Sequence, residues 1–133
     1  MKILVTSGGT SEAIDSVRSI TNHSTGRLGK IITEALLAAG HEVCLITTPS
    51  AIKPEPHPNL SIREIKNTND LLFEMKERVP NYRVLIHSMA VSDYTPVYMT
   101  GLEEVQASSN LEDFLNKQNH QAKISSTDEV QVL

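Results

Sequence analysis

The chain has almost no sulfur chemistry and no excess of positive charge, and both absences narrow what it does. A single cysteine, Cys44, rules out an internal disulfide, and nothing points to an oxidising compartment. With 12 Lys and Arg against 16 Asp and Glu, the formal charge is −4. That balance argues against nucleic acid as the main partner, because phosphate-backbone binding needs clustered cations. No apolar run approaches the roughly 20 residues that cross a bilayer, so no membrane partner is expected. Met1-Lys2 leads straight into Ile3-Leu4-Val5, too short an apolar segment for a signal peptide. There are no internal repeats, no spacing of a structural zinc site and no Ser-His-Asp signature. The expectation is one soluble cytoplasmic domain over residues 1–133, long enough to bury a modest core.

What is present reads as alternating strands and helices. "KILVTSGGT" is a short apolar strand stopped by Gly8-Gly9. From Leu28, apolar residues at Ile31, Ile32, Ala35, Leu36 and Ala39 form one helical stripe, with Gly40 placed as its C-terminal cap. "EVCLITT" is a continuous β-branched run bounded by Pro49, as suits a parallel strand covered on both faces. The proline-rich "AIKPEPHPN" is a surface connection, and "LSIREI" is a third strand. "NTNDLLFEMKERV" predicts a short helix with Thr68 or Asn69 as N-cap, and "YRVLIHSMAVSDY" a fourth strand with a polar end. The order, β-α-β-β-α-β, or βαβαβ with one non-helical crossover, predicts a Rossmann-like three-layer α/β fold with a mostly parallel sheet. In such folds ligands lie at the C-terminal ends of the strands. After Pro96 the pattern weakens: residues 97–122 read as a flap, a dimer arm or a mobile loop, with a short helix around Leu111–Leu115. A new strand begins near the end, so the sheet reads as incomplete at the C-terminus and the chain as a fragment of a longer domain.

The chemistry is expected in the first strand-to-helix connection, roughly 19 residues long where about 2–6 are usual. Ile14, Val17 and Ile20 recur at regular spacing and are expected to tuck this loop against the core. Gly8-Gly9-Thr10 lets a ligand approach the main chain. Ser24-Thr25-Gly26-Arg27-Leu28-Gly29 opens the helix and turns free N–H groups and the positive dipole end toward an anion. In the plainer alternative, Ser24 or Thr25 is the N-cap and Gly29 allows close helix–sheet packing. Asp15 and Arg18 are spaced to pair on one turn, which on a surface contributes little. Asn22, four residues before the helix, carries an amide able to donate to a developing oxyanion. His23 reads as a loop hydrogen-bonder and His41 as a surface or dipole-pairing residue. Asp93 follows a strand on the glycine-loop edge, and either binds a ribose hydroxyl or metal-bound phosphate, or simply makes a turn. G-x-G-x-x-G is absent, and Thr47-Thr48-Pro49 stands where an NAD site wants an acid; NADP would have to rely on Lys53.

Together, "SGGTSEAIDSVRSITNHSTGRLG", "MAVSDY" and "KISS" resemble the phosphopantothenate–cysteine ligases (phosphopantothenoylcysteine synthetases) of coenzyme A biosynthesis. The pattern G-x-T-x-E-x-I-D-x-V-R-x-I-x-N-x-S-x-G runs from Gly8 to Gly26, with Gly9 where many members have proline. A-V-[AS]-D-[YF] falls at Ala90–Tyr94 and K-I-x-[SK] at Lys123–Ser126. The resemblance implies that 4′-phosphopantothenate is activated by CTP, with Mg2+ at the phosphates, and that cysteine displaces CMP from the acyl-cytidylate. It implies catalytic roles for Asn22 and Lys123, and substrate binding by Gly8, Gly9, Thr10, Asp15, Arg18, Ser24, Thr25 and Gly26. It places the nucleotide beside Ala90, Val91 and Asp93, leaves the metal ligands undefined, and implies a homodimer of the free-standing bacterial type. ATP in place of CTP, an NADP-dependent reductase and a non-catalytic nucleotide-binding module are the competing readings.

Overall fold

Alternation along the first strand divides its side chains between two faces, and the rest of the sheet follows from that. In a computed structural model of the protein, residues 1–97, 99–110, 112 and 131–133 are described. They divide into two bodies, one of Met1–Ser11 and Thr21–Ser92, the other of Glu12–Ile20 and Asp93–Leu133.

The first body holds β1 (Lys2–Gly9), α1 (Arg27–Ala38), β4 (Glu42–Thr47), β5 (Leu60–Glu64), α2 (Thr68–Arg78) and β6 (Val84–Ala90). The strands form one parallel sheet in the order β5-β4-β1-β6. Leu4, Cys44, Ile46 and Met89 pack under α2 with Ile65 and Leu71. Ile3, Val5, Val43 and Leu45 pack under α1 with Leu37. This is the three-layer Rossmann-like arrangement the sequence predicts. Each fully buried aliphatic side chain contributes about 1.5–3 kcal/mol, which explains why the central strands β1 and β4 carry so little polarity. As expected, β4 passes to β5 without a helix.

Two helix details differ from the periodicity. The buried face of α1 is Gly29, Thr33 and Leu37, flanked by Ile32 and Leu36, while Leu28 and Ile31 are 62% and 54% exposed. Gly29 brings the helix backbone onto β1, because a Cβ there would overlap that of Ser7, and this contact sets the helix rotation. The N-cap of α2 is Asn67 rather than Thr68 or Asn69: its side chain accepts the Asp70 N–H at 2.8 Å, and Asp70 reaches back to Asn67 in a capping box. At the end of α1, Ala39 is the C-cap; Gly40 and His41 donate to Leu37 and Leu36 in a Schellman closure.

The chain crosses between bodies through β2 (Ser11–Ala13) and β3 (Ser19–Thr21), which pair as a two-stranded ribbon. In the second body Val17 is 65% and Ile20 47% exposed and Ile14 is half-buried, so apolar burial alone does not order this loop. Asp15 does, accepting the N–H groups of Val17 and Arg18 at 2.9 and 2.8 Å. The body also contains β7 (Thr100–Gly101), α3 (Leu102–Ala107) and β8 (Gln131–Val132), β7 pairing antiparallel with β8. Of the helix expected around Leu111–Leu115, all but Glu112 lies outside the described residues, as does most of 97–122 after Asn110. Among the described residues no helix is long and apolar enough to cross a membrane.

Candidate functional site

The C-terminal ends of β1 and β6 lie side by side, with Gly9 opposite Ala90. Past them hydroxyls join main-chain hydrogen bonds in holding the chain. The Thr10 N–H donates to the Ala90 carbonyl at 3.0 Å. Thr10 Oγ1 accepts the Ser92 N–H at 2.8 Å and shares a 2.8 Å hydrogen bond with Ser92 Oγ. Asn22 then closes onto this pair. Its backbone N–H donates to the Thr10 carbonyl at 3.1 Å. Its Nδ2 donates to Ser92 Oγ at 3.1 Å and lies 3.3 and 3.4 Å from the Thr10 carbonyl and Oγ1.

Three residues expected to meet substrate therefore have structural duties here. Thr10 is fully buried, with hydroxyl and carbonyl both engaged by protein groups. Gly9 lets the backbone of Asn22 lie against β1, since a Cβ would overlap the Asn22 carbonyl. Val91, half-buried, packs against the core cluster under α2. Gly8 faces Thr47, Thr48 and Ala51, and Ala90 is half-buried at the strand end.

The start of α1 lies just beyond Asn22. Ser24 donates its N–H to the Asn22 carbonyl at 3.1 Å. The N-cap is Gly26 in the left-handed region (φ 78°), not Ser24 or Thr25, and no side chain caps the helix. Thr25 Oγ1 only accepts the Arg27 N–H, at 3.3 Å. The first turn carries no acid but has Arg27 and Lys30, so its positive end is unneutralised. Gly26 is also pressed against the 48–52 turn: a Cβ would come within 2.8 Å of Ala51 Cβ, and Ile52 donates to the Thr25 carbonyl at 2.9 Å.

Lys53, the cation an NADP phosphate would need, is committed elsewhere. Its Nζ donates to the carbonyls of Thr48, Pro49 and Ala51 at 3.2, 2.9 and 3.2 Å and faces Glu64 at 3.5 Å. Thr48 Oγ1 beside it is buried with no partner among the described residues.

In the second body, Asp15 and Arg18 pair at 2.7 Å, but not as a loose surface pair, because the Asp15 side chain is fully buried. Asp93 is exposed. Lys123 lies outside the described residues. Two residues escaped the sequence reading. Ser92 meets Asn22 only through the fold, the two lying 70 positions apart in the chain. Glu12 is a carboxylate only 4% exposed, marked in the sequence by nothing but its place in the motif. Hydrogen bonding to Glu74 raises the Arg78 guanidinium, and burial raises the Tyr82 phenol; both belong to the packing around α2 rather than to this strand edge.

The model of the DNA/pantothenate metabolism flavoprotein C-terminal domain family matches residues 1–112. The coenzyme A biosynthesis bifunctional protein CoaBC of Vibrio vulnificus is 34% identical over 94 residues, 71% of this chain and 23% of that protein. The crystal structure of the DNA/pantothenate metabolism flavoprotein from Streptococcus pneumoniae is 87% identical with a TM-score of 0.91, covering 99% of this chain and 58% of that one. The C-terminal domain of a coenzyme A biosynthesis bifunctional protein CoaBC is 36% identical with a TM-score of 0.66, over 73% of this chain and 48% of that one. The chain thus spans about a quarter of the curated relative's length and about half of the solved relatives'.

Proposed function

The chain belongs to the family of the DNA/pantothenate metabolism flavoprotein C-terminal domain, and on that premise we propose that it joins 4′-phosphopantothenate to cysteine in coenzyme A biosynthesis. A carboxylate oxygen of phosphopantothenate attacks the α-phosphate of CTP and pyrophosphate leaves. The cysteine amine then attacks the acyl carbonyl; the carbon–oxygen bond to the nucleotide breaks, and the amide and CMP are released. The observation that supports this reading is Asn22, its amide held between two strand ends and followed by a helix start that no side chain caps.

In this mechanism the open start of α1 takes a phosphate, with Ser24, Thr25 and Gly26 supplying polar and main-chain groups. Asn22 stands at the acyl group. Asp15 holds the loop that carries Arg18, and Arg18 supplies charge to the substrate. Ala90 and Asp93 flank the nucleotide, and Lys123 neutralises phosphate charge. Mg2+ would accompany the triphosphate and would be held largely by phosphate oxygens and water, offsetting the phosphate charge. A homodimer is part of the proposal.

The test is pyrophosphate release from CTP, measured with and without phosphopantothenate, followed by amide formation on adding cysteine. Phosphopantothenate-dependent release supports the ligase. CTP binding in calorimetry with no release at any substrate level would instead make the chain a non-catalytic nucleotide-binding module. Release from ATP but not CTP would correct the nucleotide.

A further inference from the structure

The direction in which Asn22 faces is fixed by chemistry that does not depend on the ligand. The Thr10 carbonyl can only accept, and it already takes the Asn22 backbone N–H at 3.1 Å. The side-chain atom of Asn22 lying 3.3 Å from that carbonyl must therefore be the NH2 nitrogen; turning the amide over would set two carbonyl oxygens against each other. The same nitrogen donates to Ser92 Oγ at 3.1 Å. Both N–H bonds are thus directed at protein oxygens. Among the described residues Oδ1 accepts no hydrogen bond, every side-chain bond of Asn22 running through Nδ2, and the residue is only partly buried.

We infer that Ser92, working with Thr10, is a positioning residue that turns Asn22 so that it offers an acceptor, not a donor. This inference takes its chemistry from the ligase reading. An acceptor does not suit a developing oxyanion, the role the amide suggests by residue type alone. It suits the attacking amine of cysteine. An N–H of that amine donates to Asn22 Oδ1, which aims the nitrogen lone pair at the acyl carbonyl. As the new C–N bond forms, the nitrogen loses a proton to solvent and CMP leaves with the electrons of the broken C–O bond. Oxyanion stabilisation then falls to main-chain N–H groups or cations.

Ser92→Ala removes one acceptor from the Asn22 amide. It keeps the Ser92 backbone N–H bond to Thr10 Oγ1 that anchors the loop. The expected result in single-turnover assays is pyrophosphate release within about twofold of the parent and cysteine-dependent consumption of the acyl-cytidylate slower by about tenfold, the equivalent of one hydrogen bond. Ser92→Thr, which retains a hydroxyl, restores the second step. In 15N NMR the Asn22 side-chain NH2 pair moves in Ser92→Ala and returns in Ser92→Thr. Equal loss of both half-reactions, or an unmoved Asn22 NH2 pair, overturns the proposal. If the parent chain releases no pyrophosphate, the ligase reading fails and the amine-holding role falls with it, while the NMR result still decides whether Ser92 orients Asn22.

Discussion

Helices α1 and α2 cover opposite faces of one sheet, yet their first turns are built in contrary ways. In α2, Asn67 and Asp70 satisfy each other's backbone donors, an acid sits at the positive end, and Lys76 and Arg78 occupy the last turn. Every local rule of helix termination is met from within the element. In α1 the N-cap is a left-handed glycine with no side-chain cap, no acid follows in the first turn, and no base closes the last. Apart from the Arg27 N–H taken by Thr25 Oγ1, its first N–H groups keep the donors and partial charge that α2 uses up internally. The contrast teaches where binding capacity resides in this fold: at the helix start that its own sequence leaves unsatisfied.

The sharpest way to break the comparison is at Gly29, where α1 meets β1. Gly29→Ala places a methyl against the Ser7 side chain and is expected to cost about 3 kcal/mol, the upper range for overpacking, read as a lower urea midpoint. Next comes the pair Gly26→Ala and Asn67→Ala. The first forces a Cβ into a left-handed conformation and toward Ala51, costing about 1–2 kcal/mol; the second removes a cap worth about 1 kcal/mol. Their stability losses are similar, but only Gly26→Ala is expected to weaken CTP in calorimetry. Equal weakening by both would show that the start of α1 is not special. The smallest effect has the opposite sign. Thr33 is fully buried and its hydroxyl has no partner among the described residues. Thr33→Val is therefore expected to stabilise by up to about 1 kcal/mol, seen as a higher thermal midpoint.

Much of the fold was legible because long apolar strands and a 3.6-residue rhythm announce themselves locally. The face of α1 was not. Hydropathy favours Leu28 and Ile31, but the contact surface is set by a glycine and a threonine, residues that such patterns pass over. In the loop, Ile14, Val17 and Ile20 drew attention by their spacing. The ordering residue is Asp15, whose burial follows from the backbone N–H groups it accepts. The candidate site was legible as a motif and illegible as a geometry. Asn22 stood out only by its company, and its partner Ser92 comes from the far end of another strand, where no local pattern links the two. Lys53 shows the converse: a lone lysine at a promising position whose charge serves the turn beside it.

The hydroxyl tie between Thr10 and Ser92 joins positions 82 apart in the chain. Closing so long a segment is a late, entropically costly event in folding. An amide positioned by that tie exists only once β6 has docked beside β1, after α1, β4, β5 and α2 have all been laid down. A ligand that needs Asn22 in place binds only the form in which β6 is docked beside β1, and so draws the folding equilibrium toward the finished sheet by mass action. Occupancy of the site would then act as a checkpoint on the completed chain.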